Sequence, residues 1–519
     1  MTAPDRRWTA WIFVRVLGAI YAIAFASLWI QIRGLAGANG ILPASHFVAA
    51  ARQFVDAGAI GLDRYRLLPT FAWIGASDTA LAAQCAAGTA LGVLVAAGLA
   101  PGPCLALAWA LYLSLATAGQ DFFGFQWDSL LLEAGLLAVA LAPWRWVSRP
   151  ARDPAPSPVV VWLLRWLLFR LMFESGCVKL ASGDPSWRSL TALTVHYQTQ
   201  PLPTWIGWYA HQLPAWCQRA SCAGVFAVEL GAPWLIFTPR RSRLIGAAAL
   251  AGLQVLILLT GNYAFFNVLT LALCLLLLDD AALAALRPGR GRRRRDAADT
   301  PESTARTTGA PAATATFPVD EPAPATRPAP AARGARLARW SLAAVVVPVS
   351  LTQVMGTVGW TPAWIRPAET LGAWLAPFRS INPYGLFAVM TTTRREIEIE
   401  GSDDGVTWRA YGFPYKPGDP ARRPAFVAPY QPRLDWQMWF AALESPPPWF
   451  EAFCARLLEG SPEVLGLLAT NPFPEHPPRF VRAELYEYRF TTWAERRATG
   501  DWWVRTPVGE YLSPVTLRR

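Results

Sequence analysis

The sequence predicts a polytopic α-helical membrane protein of about nine transmembrane helices, with a C-terminal non-cytoplasmic α+β domain that is β-sandwich-like. Three observations carry this. Hydrophobic residues make up 53% of the 519 positions and charged residues only 16%, against about 25% charged in a soluble globular chain. Apolar runs near the length of a bilayer crossing recur along the chain. Runs of alternating apolar and polar residues, the period of a strand, appear only after residue 390.

The spans lie near residues 10–31, 77–98, 102–119, 128–144, 159–180, 220–238, 244–260, 264–281 and 339–357. The first apolar run, from about Trp11 to Ile32, lacks a small-residue cleavage site and reads as an anchor. The 26 Trp residues fit interfacial belts. Basic clusters test the count: Arg6 and Arg7; Arg145, Arg149 and Arg152; Arg240, Arg241 and Arg243; and Arg292 to Arg295. If spans alternate, all four fall on one side, which the positive-inside rule makes the cytoplasm. The N-terminus is then cytoplasmic and the region after the ninth span lies on the far side. The net charge of +11 is thus a topology signal. No folded basic face surrounds "GRGRRRRD", so no nucleic-acid partner is expected.

The chain is expected to divide into a bundle at 1–285, a linker at 286–338, the ninth helix at 339–357 and the C-terminal domain at 358–519. The linker is rich in Ala, Pro, Thr and Arg without apolar period, a composition that does not fold alone. Beyond it, "REIEIEGSDDGVTWRAYGFPY" alternates on both sides of Asp404-Gly405, a hairpin signature. "LDWQMWFAAL", "PPWFEAFCARLL" and "SPEVLGLLA" have helical spacing, and "RFVRAELYEYRF" returns to period two. The seven Cys include no CxxC and no Cys/His zinc spacing. Cys217 and Cys222 in "WCQRASC" leave two readings, a disulfide or two unpaired thiols.

Charges inside apolar runs are the candidate functional residues. Glu133 sits within "LLLEAGLLAVALAPW", where an ionised carboxylate facing lipid would cost several kcal/mol. The fifth span carries Arg165, Arg170, Glu174 and Lys179. Arg170 and Glu174 are placed to pair along the helix, and Lys179 is placed to snorkel outward. A further carboxylate is wanted, and Glu133 is the first candidate for Arg170 or Arg165, with Glu229 of the sixth span the second. A structural ion-pair network and a proton relay or substrate site are both consistent with these six residues. On the outer side lie Gln126, Trp127 and Asp128; the long loop with Asp184, Trp187, His196 and Tyr197; and the turn "GNYAFFN" with Asn262 and Asn267. His196 has no nucleophile or metal ligand at helical spacing, and no nucleotide, triad or metalloprotease motif occurs. No catalytic residue, metal or cofactor is assigned.

The stretches "GQDFFGFQWDSLLLEAG", "WLLFRLMFESGCVKLASGDPSWRSLTALTVHYQTQPLP", "GNYAFFN", "PYKPGDPARRPAFVAPYQPRLDWQMWFAAL", "NPFPEHPPRFVRAELYEYRF" and "DWWVR", in this order, resemble the lipase maturation factor family. The resemblance runs from about the third span to residue 512, with 286–338 as an insert. It implies a membrane-bound folding factor for secreted clients, homodimeric lipases in animals, whose C-terminal domain contacts the client. Lys416, Asp419, Arg422, Arg423, Arg433, Asp435, Trp436 and Trp439 are the matching candidates for that contact; for Arg433 and Asp435 an internal salt bridge is the competing reading. The family implies the endoplasmic reticulum membrane. The Ala-, Pro- and Arg-heavy composition points to a high-GC bacterial genome, and there the membrane is the inner membrane. A membrane-embedded enzyme, carboxylase-like or redox-associated, is the alternative; it would require Glu133, Arg170, Glu174, Lys179 and His196 to converge on one outward cavity.

Overall fold

The computed structural model describes residues 6–58, 60–285 and 330–517. Within them the bundle helices are α1 (Arg7–Ala36), α2 (Ala44–Gly58), α3 (Asp78–Ala97), α4 (Pro101–Ala118), α5 (Gln126–Leu141), α6 (Pro158–Ala181), α7 (Leu193–Thr199), α8 (Trp205–His211), α9 (Ala215–Phe226), α10 (Arg240–Thr260), α11 (Phe266–Leu275) and α12 (Pro330–Thr357). α9 continues through a π turn at Ala227–Gly231 and a 3-10 turn at Ala232–Phe237. Among the described residues, six helices are long and apolar enough to cross a membrane: α1, α3, α4, the α9 run to Phe237, α10 and α12. The chain is a polytopic membrane protein. α5 and α11 are shorter than those six, and α6 is interrupted by four charges. α12 begins at Pro330, so the end of the expected linker is helical; most of that linker, with Arg292 to Arg295, lies outside the described residues.

Local sequence explains the bundle's closest contact. The Ser77 hydroxyl caps α3, and Gly98, at φ 84°, ends it. Gly18 of α1 and Gly92 of α3 sit where any Cβ would strike the backbone of Ala96 or Ala22. Small residues there let the two backbones approach, the usual way membrane helices pack.

The bundle has one basic end. Arg15 Nη2 donates to the Ser148 carbonyl at 3.1 Å, the Thr9 amide to Asp280 at 3.1 Å, and Arg240 Nε to Asp279 at 2.6 Å. The N-terminus of α1, the 145–153 turn, the 240–243 turn and the end of α11 therefore meet. Arg165 belongs here: Nε and Nη2 donate to the Leu276 carbonyl at 3.0 and 2.6 Å. It is not a fallback partner of Glu133.

At the other end sits the C-terminal domain. α13 (Arg366–Leu375) lies ahead of its strands. β1 (Arg394–Ser402) and β2 (Arg409–Ala410) form the hairpin around Asp404-Gly405; α14 (Arg433–Ala441), α15 (Pro448–Glu459), β3 (Phe480–Phe490), α16 (Trp493–Thr499) and β4 (Trp503–Val515) follow. The strands make one antiparallel sheet, order β2-β1-β3-β4, with Arg394 opposite Tyr488 and Phe490 opposite Trp503. This corrects the sandwich expectation. The apolar face, with Ile397, Ile399, Val481 and Ala483, is covered by Phe450, Phe453 and Leu457 of α15. A helix fills the place of a second sheet. "SPEVLGLLA" forms only the single turn Pro462–Leu465. Cys217 and Cys222 are free, five residues apart on α9 and so pointing to different sides.

Candidate functional site

Two constellations occupy the end opposite the basic one: a seam of ion pairs that seats the C-terminal domain, and a chamber beside it.

The seam starts with "GQDFFGFQWD". α5 opens at Gln126, placing Asp128 in its first turn, where the helix dipole favours a carboxylate. Asp128 accepts both Arg433 guanidinium nitrogens at 2.9 Å and the Tyr112 hydroxyl at 2.5 Å. Arg433 Nη1 also donates to the Phe122 carbonyl at 2.6 Å, and its guanidinium lies 3.8 Å from the centre of the Phe123 ring. This is a bidentate, fully buried clamp between α5 and the C-terminal domain. Trp127 stacks on Phe125 and meets Trp436 edge-on at 4.6 Å. Gln31 of α1 bonds both the Arg433 amide, at 2.9 Å, and the Gln431 carbonyl, at 2.7 Å.

Deeper in the seam, Glu133 Oε1 accepts Arg170 Nη2, both side chains fully buried. Its Oε2 accepts the Asn382 amide at 3.0 Å and the Tyr384 hydroxyl at 2.8 Å. Arg170 Nη1 donates to the Asn382 carbonyl at 3.0 Å. Glu174 accepts the Tyr384 amide at 2.8 Å and is bonded there, not to Arg170. The segment Ser380–Phe387 is thus threaded through the charges of α5 and α6. Gln126 takes the Gly385 amide at 3.3 Å. Asn262 holds a third strip of the domain, giving Nδ2 to the Leu202 and Ala425 carbonyls and accepting the Val427 and Ala428 amides. Arg394 donates to the carbonyls of Gln198 and Pro201 at 2.9 and 2.7 Å, and pairs with Glu396, which also takes Lys416 at 2.9 Å.

Several candidate client contacts are therefore inside the protein. Lys416, Arg433, Asp435, Trp436 and Trp439 are buried. Arg433 and Asp435 do not pair with each other: Asp435 Oδ1 accepts the Tyr415 and Lys416 amides, each at 2.8 Å. Burial pushes the Asp435 carboxyl up to about 6, against those two hydrogen bonds. Arg422 donates to the Phe413 and Lys416 carbonyls. Asp419 and Arg423 are exposed.

The chamber has a volume of about 620 Å³. Lys179 is buried, not snorkelled: Nζ donates to both oxygens of Glu229 at 2.9 and 2.8 Å and to the Ser175 carbonyl at 3.1 Å. Two local features make the pair. Glu229 stands in the π turn, a register shift frequent at functional sites. Gly176, where a Cβ would strike Leu230 and crowd Glu229, lets α6 lie against that turn. His196 of α7 also lines the chamber. Its Nε2 lies 3.3 Å from the Tyr263 hydroxyl, which donates to Gln200 at 2.7 Å. Burial, then Lys179, pushes the imidazole down to about 4, so it is neutral. Asn267 Nδ2 donates to Gln254 at 2.8 Å. Trp187 donates to the Phe387 carbonyl at 2.9 Å, and Asp184 holds the Ser186 and Met390 amides, fixing the wall. Tyr197 lines the chamber too.

The six charges singled out within apolar runs thus separate into three places: Arg165 at the basic end, Glu133, Arg170 and Glu174 in the seam, Lys179 and Glu229 at the chamber. They do not converge on one cavity. Tyr112, Asn382, Tyr384, Arg394 and Glu396 were not singled out from sequence; the polar "INPYG" just after an amphipathic segment was the available signal for two of them.

A family model described as lipase maturation factor transmembrane domain matches residues 8–285, and one described as lipase maturation factor C-terminal domain matches 380–513. Lipase maturation factor 2 of Gallus gallus is 37% identical, covering 100% of this chain and 82% of the relative. The protein of that name from Homo sapiens is 37% identical over 98% of this chain and 82% of its own length. Lipase maturation factor 1 of Mus musculus is 33% identical over 98% and 87%. No solved structure matches the chain.

Proposed function

The chain belongs to the lipase maturation factor family, and we propose that it is a membrane-bound folding factor that assists folding or assembly of secreted client proteins through its C-terminal domain. Lipases are the client class to which the relatives' names point. The observation that supports the reading most is whole-chain similarity: both family models match, and the relatives align over nearly all of this sequence. The relatives lend no support to the membrane-embedded enzyme, and the dispersal of the buried charges speaks against a single catalytic cavity.

In this reading the chain makes nine crossings: α5, α6 and α11 cross with the six helices named above. The basic end is cytoplasmic, and the C-terminal domain, 358–519, faces the lumen of the endoplasmic reticulum or, in a bacterial source, the periplasm. Residues 1–285 form the bundle, 286–338 the linker and 339–357 the ninth span. The seam gives the domain a fixed seat near the bilayer, so that a client held there meets a rigid surface. Asp419 and Arg423, exposed on that domain, remain candidates for client contact.

The test is expression of this chain with a secreted homodimeric lipase in cells lacking their own maturation factor. Lipase activity per secreted lipase mass should rise; no rise at equal expression would overturn the reading. Reporters fused after residues 300 and 395 should report opposite compartments, and the same compartment for both would remove the ninth crossing.

A further inference from the structure

We infer that the chamber binds a neutral single-chain amphiphile whose head carries a hydroxyl donor, admitted from the bilayer between α9 and α10. This goes beyond the folding-factor reading and stands without it.

The volume of about 620 Å³ falls in the ~300–1,000 Å³ range of small-molecule sites, which suits one chain better than a two-chain phospholipid. The walls are largely apolar, with Leu171, Val225, Val228, Leu253 and Phe266 among them. One wall is thin. Gly224 and Gly252 are exposed, and a Cβ built on either would meet nothing within 4 Å. Both lie on helices long and apolar enough to cross the membrane, so the opening faces hydrocarbon.

Polar chemistry selects the head. Lys179 has its three donors engaged, and each Glu229 oxygen accepts one of them. The pair is neutral overall and offers no free cation to a carboxylate or phosphate. Two buried atoms in the lining lack partners: Asn267 Oδ1, on a residue with no exposed surface, and His196 Nδ1. Because the Tyr263 hydroxyl spends its proton on Gln200, it receives the His196 Nε2 proton, which leaves Nδ1 an acceptor. Two orphan acceptors want a donor, since a buried acceptor left bare forfeits the hydrogen bond it had with water. A hydroxyl supplies one; an ester or an ionised acid supplies none. Phe387, held at φ 55° with its ring 4.8 Å from that of His196, closes the polar end.

The experiment uses the full chain in nanodiscs and a 1-oleoylglycerol probe carrying a chain diazirine and an alkyne. Labelling should saturate and map to the chamber side of α9 and α10. Unlabelled 1-oleoylglycerol and oleyl alcohol should compete about tenfold better than methyl oleate or oleate, the worth of one hydrogen bond to the head. Whichever of the two alcohols competes better identifies the source as an acylglycerol or a fatty alcohol. Gly252→Phe, which fills open space, should keep the thermal midpoint and lose labelling. Equal competition by methyl oleate or oleate would overturn the proposal in the wild-type chain alone. Labelling unchanged in a folded Gly252→Phe, or scattered over the lipid-facing surface, would also overturn it.

Discussion

The clamp at Asp128–Arg433 and the pair at Lys179–Glu229 begin from the same materials. Each is a carboxylate and a cation, each is buried, and each joins two elements. Their surroundings differ. Around the clamp the aromatic rings of Phe123, Trp127 and Trp436 pack to closure, and the spare donors go to Phe122 and Tyr112. Beside Lys179 the packing stops and about 620 Å³ stays open. A buried ion pair is a fastener where apolar surface closes over it and part of a site wall where it does not. The charges alone do not say which.

That contrast sets the size of mutational effects. Arg433→Met should be the most damaging, since it strands a buried carboxylate at a cost of ~3–5 kcal/mol. Thermal unfolding of detergent-extracted protein measures the loss, and faster proteolysis between residues 358 and 393 should show the domain leaving its seat. Adding Asp128→Asn should recover only part, because the Phe122 carbonyl also loses its partner. A full recovery would reduce the clamp to a simple pair.

Glu133→Gln and Arg170→Gln should each cost on the order of 3 kcal/mol, and the double variant less than the sum. Strictly additive losses would show that the two side chains act independently, and would sink the seam as described.

Asp435 gives a pH effect of intermediate size. Its folded-state carboxyl titrates at about 6, above the ordinary aspartate value. The native chain therefore holds a proton that the unfolded chain releases. Stability is greatest below about pH 4 for this group and falls as pH rises toward 6, by at most ~1.4 kcal/mol per pH unit. Asp435→Asn keeps the acceptor for Tyr415 and Lys416, so it should flatten that slope and leave neutral-pH stability equal or higher. A slope unchanged in the variant would assign the titration elsewhere.

The smallest effect is expected at the chamber. Lys179→Met with Glu229→Leu should stay within ~1 kcal/mol of wild type, since replacing both partners of a buried pair by apolar groups is often neutral. A loss as large as at the clamp would mean the pair fastens α6 to α9 and would erase the contrast.

Much of the architecture was legible because it rests on one-dimensional signals. Apolar runs mark helices in a bilayer, basic turns mark an end, and the turn at Asp404-Gly405 announces its hairpin. Arg170 advertised its need for a carboxylate, because a guanidinium within an apolar helix must be paired. β4 was missed because Trp503–Val515 mixes Arg, Pro and Gly into its alternation and is largely exposed. The helix-covered single sheet was read as a sandwich because alternation tells that a face is buried, not what buries it.

What the sequence determined by itself was therefore the set of elements and the existence of buried charges with partners to find. Tertiary structure alone decided the pairing across hundreds of residues, such as Asp128 with Arg433 and Glu133 with Tyr384. It also decided that Arg433, Asp435 and Trp436 face inward, and that a hollow lies beside Lys179. The physical reason is that periodicity reports which side of a helix is apolar, whereas partner choice and empty volume depend on how two surfaces of unrelated sequence fit.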